Sequence, residues 1–187
     1  CLRFNNAIRS KLKMTTNKII IGGGIIGLNL ALALLESGQN GDVYLIESEQ
    51  YLGHHTTTRN SEVLHAGVAY PPSSLKAQLC VQGNRLSREL FDRLAIPYWK
   101  SGKWILATNE AEARGLEKVA ANTKESGAVP LVERTPQQVL QAMPELASPV
   151  AAMFSPSTAM IDVASYVAVL DRKLSTFENF YLVQPCQ

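Results

Sequence analysis

A strand, a glycine-rich turn, a helix and a second strand follow one another near the start of the chain, within roughly thirty residues. Lys18–Ile21 is a short apolar run with β-branched side chains, which predicts a buried strand. Residues 25–37 carry leucine and alanine on nearly every face, as a helix packed on a sheet does, and Gly38 is a typical helix end. Val43–Ile46 predicts the second strand. Because strands joined by a crossover helix are parallel, this unit predicts an α/β sheet.

The turn between the first strand and the helix contains Gly22, Gly24 and Gly27 in the spacing Gly-x-Gly-x-x-Gly. In a dinucleotide fold, the first glycine permits the tight turn and the second lets the backbone approach a pyrophosphate. The third lets the helix lie close to the strand. The start of the helix also offers free N–H groups and the positive end of a dipole to phosphates. A glycine turn with no ligand is the alternative, which the flanking strand and helix disfavour.

Glu47 stands at the end of the second strand, where a carboxylate can accept hydrogen bonds from both ribose hydroxyls of an adenosine. Ser48 and Glu49 follow it, with no arginine to meet a 2′-phosphate, so NADP is disfavoured as the ligand. The glycines alone do not distinguish NAD from FAD.

Residues 54–61 supply hydroxyl, amide, imidazole and guanidinium groups soon after the second strand. Such a segment either lines the diphosphate and ribityl chain of a flavin or is a solvated polar loop, and its composition alone does not decide. His65 carries the side chain best suited to proton exchange near neutral pH, and Gly67 would let the backbone approach a planar ring. A hydrogen-bonded structural histidine is the alternative for His65. His54 and His55 have no third ligand at a metal spacing, so no metal site is predicted.

The remainder of the chain departs from regular alternation of strands and helices, which predicts a second, α+β layer inserted into a nucleotide-binding domain. Residues 48–73 are expected to be loop-like. The other predicted elements are a helix over residues 74–94, two strands around Ser101 and Gly102, a helix from Asn109 to about Ser126, a helix that starts with a capping box at Thr135, two strands within residues 150–161, and a final helix from Asp162 to Leu174. The predicted boundaries are a first domain over residues 14–95, the start of the α+β domain over 96–160, and an incomplete returning helix and strand over 161–187.

The bulk composition is that of an ordinary soluble globular protein, since 46% of the 187 residues are hydrophobic, 18% are charged and the net charge is +2. So small a charge gives no reason to expect a nucleic-acid partner. No apolar run reaches the roughly 18 residues that a membrane span needs. Three widely spaced cysteines fit a reducing compartment better than a disulfide framework. Residues 1–13 hold four basic and no acidic side chains, so we expect an extraneous remnant upstream of Met14 or, alternatively, a basic presequence.

Four longer strings stand out along the chain: IIIGGGIIGLNLALALL, TTTRNSEVLHAGVAYPPSSLKAQLCVQGNRL, IPYWKSGKWILATNEAE and SPSTAMIDVASYVAVL. Together they resemble the L-2-hydroxyglutarate dehydrogenase/oxidase family, which belongs to the D-amino-acid-oxidase-like group of FAD enzymes. The resemblance extends over residues 18–170, and its second string is far more specific than the glycine spacing. It implies a Rossmann-like FAD-binding domain with an inserted α+β substrate domain, truncated at the C-terminus.

The same resemblance implies FAD as the cofactor and His65 as the catalytic residue beside the flavin. The cofactor-binding residues that it implies are Gly22, Gly24, Gly27, Glu47, Thr58, Arg59, Asn60, Ser61 and Gly67. The implied reaction moves a hydride from C2 of an (S)-2-hydroxy acid to the flavin while a base removes the hydroxyl proton, so that L-2-hydroxyglutarate becomes 2-oxoglutarate. A quinone-type acceptor or oxygen then takes the electrons. The expected location is the cytoplasm, with peripheral association at the inner membrane or a mitochondrial location as alternatives.

The chain differs from the family pattern in two ways. Val163 and Ala164 follow Asp162 where family members usually carry a histidine. The family also continues well beyond Gln187 with the strands that complete the sheet and close the pockets. A truncated, non-catalytic FAD-binding fragment is therefore an alternative to an active enzyme. An amine, amino-acid or glycerol-phosphate oxidoreductase of the same superfamily is the other alternative.

Overall fold

The computed structural model describes residues 16–186, so the predicted segment 1–13 lies outside the described residues. The strands are β1 (Lys18–Ile21), β2 (Val43–Ile46), β3 (Val63–Leu64), β4 (Tyr98–Trp99), β5 (Lys103–Ala107), β6 (Val132–Arg134), β7 (Ala151–Ser155), β8 (Ala159–Ile161) and β9 (Phe180–Val183). The helices are α1 (Ile25–Glu36), α2 (Leu75–Leu94), α3 (Glu110–Glu125), α4 (Pro136–Ala142) and α5 (Val163–Leu174), and a short 3-10 helix covers Thr56–Thr58. Within residues 16–186, none of the helices is both long and apolar enough to cross a bilayer.

The described chain forms two compact units, one from residues 16–59 and 167–186 and the other from residues 60–166. These limits differ from the predicted boundaries at residues 95/96 and 160/161. Compactness alone does not assign a stretch of chain to a cofactor or a substrate domain. The predicted functional division therefore stays a prediction.

The first unit contains a parallel sheet in the order β1-β2-β9, in which Val43 of β2 lies opposite both Lys18 of β1 and Phe180 of β9. Helix α1 connects the first two strands and contacts both of them. The predicted βαβ unit and the α/β class are thus confirmed. Ile20, Val43 and Leu45 point to one face of the sheet and are buried there.

The opposite face of this sheet is apolar and uncovered by the residues that the structure describes. Ile19 and Ile21 of β1 are 67% and 86% exposed, and Tyr181 and Val183 of β9 are 44% and 42% exposed. Tyr44 of β2 stacks on Tyr181 across this face, with ring centroids 4.9 Å apart. Parallel sheets are normally covered on both faces, so this is a face that further polypeptide would cover.

The long helix of the second unit is α2, which begins one residue after its predicted start. Ser74 is its N-cap, and the Ser74 Oγ accepts a hydrogen bond from the Ala77 N–H at 3.1 Å. The helix ends before Ala95, whose φ of 53° is left-handed. Ala77, Asn84 and Phe91 form its buried face, and each is separated from the next by about two helical turns.

Strand pairing in the second unit joins segments that are distant in sequence. The two strands predicted around Ser101 and Gly102 are β4 and β5, but they belong to different antiparallel sheets, β3-β8-β4 and β5-β7-β6. The strands predicted within residues 150–161 divide in the same way, with β7 in one sheet and β8 in the other. The Gly102 N–H donates to the Thr158 carbonyl at 3.1 Å, so the two connections meet where the sheets separate.

The predicted capping box forms at α4, whereas the cap of α3 is made in one direction only. Thr135 and Gln138 make a reciprocal capping box at α4, with distances of 3.2 Å and 3.0 Å between donor and acceptor. At α3, Asn109 is the N-cap, and its Oδ1 accepts from the Glu112 N–H at 2.9 Å. The Glu112 carboxylate, however, accepts from the backbone N–H and the hydroxyl of Thr108, so this cap is not reciprocal.

We predict that Phe91→Ala strongly destabilises the second unit. Phe91 is 1% exposed and packs against the rings of Tyr98 and Tyr166, with centroids 5.3 Å and 4.8 Å away. The cavity left behind should lower the free energy of unfolding by about 3–5 kcal/mol, measured by urea denaturation. Leu86→Ala on the same helix is the matched control, since Leu86 is 46% exposed and should lose well under half as much. Equal losses for the two variants would contradict this packing.

Candidate functional site

The glycine turn of the first unit brings α1 against the end of β1. Gly22 has a φ of 101°, a conformation that favours glycine, and its N–H donates to the Ile46 carbonyl at 2.8 Å. A Cβ at Gly27 would overlap with the Gly22 carbonyl oxygen, so only glycine allows the helix to approach the turn this closely. A Cβ at Gly22 would meet no atom within 4 Å, so the backbone at this point borders open space.

The first turn of α1 presents main-chain N–H groups beside this open space. Gly24 is the N-cap and supplies no capping side chain, and the first turn contains no acidic residue. The Ile25 N–H donates to the Thr57 Oγ1 at 3.0 Å, and a Cβ at Gly24 would lie 3.0 Å from the same oxygen. The helix therefore brings no acidic side chain of its own to the positive end of its dipole, and the nearby Glu47 carboxylate bonds to Gly23, which precedes the N-cap.

Glu47 links the end of β2 to the glycine turn. Its side chain is only 8% exposed, and its Oε2 accepts from the Gly23 N–H at 2.6 Å. The Oε1 accepts from the Glu49 N–H at 2.9 Å and from the Ser48 hydroxyl at 3.2 Å. The bond from Glu49, followed by those from Gly23 and Ser48, lowers the pKa of Glu47 from its ordinary value of 4.5, against a smaller opposing effect of burial. The carboxylate is thus held ionised and keeps acceptor capacity for a ligand hydroxyl.

The loop after β2 folds back over the turn. The Gly53 N–H donates to the Gly23 carbonyl at 3.0 Å, and the Leu52 side chain lies against Gly23. The hydroxyl of the predicted Thr58 donates to the Gly53 carbonyl at 2.9 Å, which fixes the loop internally. Arg59 is exposed at the end of the loop. Cofactor contacts by Thr58 and Arg59 stay predictions.

Thr57 is the residue of this loop that sequence reasoning did not single out. Its hydroxyl reaches the start of α1, whereas that of its neighbour Thr58 turns to the loop. The run of three threonines is visible in the sequence, but nothing local distinguishes which hydroxyl faces the glycines. His55 lies in the same loop, where its Nε2 is 2.9 Å from the Glu49 carboxylate. The prediction that His55 is a polar loop residue agrees with this position.

The remaining predicted site residues belong to the second unit. Asn60 accepts a hydrogen bond from the Glu62 N–H at 2.7 Å, and Ser61 is exposed. The His65 side chain is exposed, while its backbone carbonyl accepts from the Asn84 amide at 3.1 Å. Gly67 has a φ of 80° and is buried.

The buried position of Gly67 has a packing reason that the sequence did not reveal. A Cβ at Gly67 would lie 2.7 Å from the Val81 Cγ2, so α2 packs directly against this glycine. Helix α2 therefore holds the segment that carries His65, both through this contact and through Asn84. An approach of Gly67 to a planar ring stays a prediction.

The predicted residues thus fall into two sets, one described within each unit. Gly22, Gly24, Gly27 and Glu47 converge within the first unit, and Asn60, Ser61, His65 and Gly67 lie on one segment of the second. The first set offers what an adenine dinucleotide requires, namely N–H groups at a helix start, open space beside a glycine and an ionised carboxylate. These residues fit FAD on the observed geometry.

We predict that Gly27→Ala lowers the free energy of unfolding by about 1–3 kcal/mol, because the added methyl group collides with the Gly22 carbonyl oxygen. Gly115→Ala in α3 is the matched control, since a Cβ there meets no atom within 4 Å and alanine favours a helix by about 1 kcal/mol. Urea denaturation of both variants measures the difference. A Gly27→Ala protein as stable as the Gly115→Ala protein would contradict the close approach of α1.

Glu47 is also expected to make the first unit sensitive to acid. Its folded-state pKa is lowered, so the stability that it contributes is complete above about pH 4.5 and is lost as the pH falls through the folded-state value. Glu47→Gln should therefore be less stable at neutral pH and show a shallower loss of stability below pH 4.5. Glu117→Gln, an exposed change on α3, should keep the original slope in urea denaturation at pH 7 and pH 4. Identical slopes for both variants would refute this role of Glu47.

Comparisons with known proteins identify the family of the chain. Residues 18–176 match the family model of the DAO FAD dependent oxidoreductases. The mitochondrial L-2-hydroxyglutarate dehydrogenase of Caenorhabditis briggsae is 38% identical over 144 residues, which is 77% of this chain and 33% of that protein. The L-2-hydroxyglutarate dehydrogenase of Escherichia coli K12 is 42% identical over 108 residues, 56% of this chain and 26% of that protein.

Solved structures share the fold. The reduced, FAD-bound L-alpha-glycerophosphate oxidase of Mycoplasma pneumoniae has a TM-score of 0.79 and 25% identity, over 90% of this chain and 44% of that one. Glycine oxidase of Geobacillus kaustophilus has a TM-score of 0.74 and 23% identity, over 90% of this chain and 46% of that one. The chain spans about a third of the length of the curated relatives it matches. On the match over residues 18–176, the chain belongs to the DAO family of FAD dependent oxidoreductases.

Proposed function

We propose that this chain supplies the FAD-binding part of an oxidoreductase that converts an (S)-2-hydroxy acid, with L-2-hydroxyglutarate as the leading substrate, into the 2-oxo acid. The observation that carries the proposal is the sequence identity to L-2-hydroxyglutarate dehydrogenases from a nematode and a bacterium. The geometry of the glycine turn and Glu47 supports the cofactor part of the proposal.

FAD, when bound, supplies the acceptor for the hydride that leaves C2 of the substrate. In this proposal, the N–H groups at the start of α1 bind the diphosphate, with the glycine turn giving access. The Glu47 carboxylate accepts from the ribose of the adenosine. Thr58, Arg59, Asn60 and Ser61 contact the chain of the cofactor, and the backbone at Gly67 approaches its ring.

His65 is the residue proposed to take the proton of the substrate hydroxyl on a ring nitrogen. Its side chain is exposed and so accessible, while Asn84 and the packing of α2 on Gly67 fix the backbone that carries it. Removal of the proton from the hydroxyl and the hydride from C2 leaves a carbonyl group. The electrons then pass to a quinone-type acceptor or to oxygen, in the cytoplasm, at the inner membrane as a peripheral protein, or in a mitochondrion.

The substrate and the role of His65 are tested in the full-length protein that contains this chain. We expect dye reduction with L-2-hydroxyglutarate and none with the D form. His65→Gln should lower the rate by about 10²–10⁴-fold while FAD absorbance is retained, because only the proton transfer is removed. His54→Gln, an exposed loop change, should leave the rate unaltered.

Two outcomes of this assay would contradict the proposal. Activity with an amine, an amino acid or glycerol phosphate, but not with L-2-hydroxyglutarate, would replace the substrate with one of the alternatives from the same superfamily. A His65→Gln protein with the original rate would remove His65 from the mechanism and leave the substrate unaffected.

A second candidate is a non-catalytic FAD-binding piece, and the uncovered apolar face of the β1-β2-β9 sheet favours it. Ile19 and Ile21 would be covered in a complete parallel sheet, so the chain by itself presents an unfinished surface. The absorbance spectrum of the purified 187-residue chain distinguishes the two. Stoichiometric bound flavin with turnover would exclude this candidate, and bound flavin without turnover would support it. A chain that binds no flavin would contradict FAD binding by the chain alone.

A further inference from the structure

A cavity of about 810 Å³ lies entirely within residues 60–166 and plays no part in the function proposed above. It is bordered by one side of α2, by the turn that follows α3 and by the turn between β7 and β8. Its volume is in the range of about 300–1,000 Å³ that small-molecule sites occupy in proteins. The cavity is therefore large enough for an organic ligand.

The charged side chains that line this cavity are both arginines, Arg85 and Arg88, and its described lining contains no aspartate or glutamate. The Arg88 Nη2 donates to the Ser157 carbonyl at 2.7 Å, and its Nε donates to the Asn84 Oδ1 at 3.2 Å. These bonds hold the half-buried guanidinium in a fixed orientation. The ion pairs among residues 16–186 include Arg85 with the exposed Glu89, but they do not include Arg88. The cavity thus has a positive charge without a neutralising carboxylate of its own.

Ser157 adds a polar group that lacks a partner. The residue is 7% exposed, and within the described part of the chain its buried Oγ makes no hydrogen bond. Its carbonyl, by contrast, accepts from both Asn84 and Arg88. The nearby Ser155 hydroxyl is paired with the Thr158 hydroxyl at 3.0 Å. A buried hydroxyl without a partner is unfavourable, so a group that accepts from it would gain a full hydrogen bond.

The other walls determine what kind of anion fits. Val81, Ala128, Val129 and Pro156 give the cavity apolar surface suited to a hydrocarbon body. Ser126, the C-cap of α3, also lines it, so the negative end of that helix dipole lies at the cavity and disfavours a doubly charged anion more than a singly charged one.

We propose that this cavity binds a small organic carboxylate. The carboxylate accepts hydrogen bonds from Arg88 and from the Ser157 hydroxyl, and the hydrocarbon part lies against Val81 and Val129. The proposed oxidation assigns no ligand to this site, but Ala66 and Asn84 belong to its lining and also border or hold the segment that carries His65.

The test uses the purified 187-residue chain and 4-phenylbutyrate as the probe, with binding measured by calorimetry and by backbone NMR shifts. We expect saturable binding, with shifts at Gly127, Ala128 and Ser157. The neutral isostere 4-phenylbutanamide should bind at least tenfold more weakly, because it lacks the charge. Phenyl phosphate, which carries a second charge, should also bind more weakly.

Three substitutions distinguish an effect on the affinity for 4-phenylbutyrate from an effect on the stability of the chain. Ser157→Ala should weaken binding of 4-phenylbutyrate about fivefold while leaving the stability of the ligand-free chain equal or higher, since it removes an unpaired hydroxyl. Arg88→Gln should weaken binding at least tenfold. Arg114→Gln, an exposed change on α3 outside the cavity, should change neither binding nor stability.

The proposal is overturned if 4-phenylbutyrate causes no saturable shifts at the cavity, or if the amide binds as tightly as the acid. Tighter binding of phenyl phosphate would replace the carboxylate with a phosphate ester. A Ser157→Ala chain with unaltered affinity would show that the hydroxyl does not contact the ligand. These outcomes concern ligand binding at the cavity alone, whereas dye reduction with L-2-hydroxyglutarate is a separate measurement, so the two proposals fail separately.

Discussion

The hydrogen bond from the Gly23 N–H to the Glu47 carboxylate, 2.6 Å long, joins the glycine turn to the end of the βαβ unit on which the first unit is built. It connects the turn after β1 to the end of β2 at the edge of the sheet where parallel strands place ligands. The loop after β2 then folds onto the same glycine through Gly53. Removing the Glu47 carboxylate would leave the N–H groups of Gly23 and Glu49 without this acceptor. The end of β2, the glycine turn and the start of the following loop are therefore joined by this one side chain.

The local elements could be predicted from the sequence because their causes are local. β1 and β2 follow from short β-branched runs, α2 from Ser74 and a spaced apolar face, and α4 from the Thr135 capping box. Pairing could not be predicted in the same way. The strands on each side of Gly102 look like a hairpin in sequence, yet each pairs with a segment roughly 45 to 60 residues away, because packing between distant segments selects the partner.

The candidate site likewise contains features that the sequence predicts and features that it does not. The roles of Gly22 and Gly27 follow from spacing between a strand and a helix, so the sequence contains them. The role of Thr57 depends on the path of a loop, and the packing of Val81 on Gly67 depends on where a later helix lies. The cavity beside Arg88 is formed by three segments that no short motif connects, so it became visible only in three dimensions.

The chain has two unsatisfied features of different physical kinds, and they call for different partners. The apolar face that includes Ile19, Ile21 and Tyr181 extends across the β1-β2-β9 sheet. Further polypeptide could bury most of this apolar area, whereas a small ligand could not. The Ser157 hydroxyl is a single polar atom in a partly enclosed cavity beside a fixed guanidinium. Another protein element would have to bring a carboxylate into that cavity, whereas a small acid can enter it with little ordering of the chain. The apolar sheet face would therefore be covered by additional structure, whereas the cavity beside Ser157 is a candidate binding site in the part of the fold that is already present.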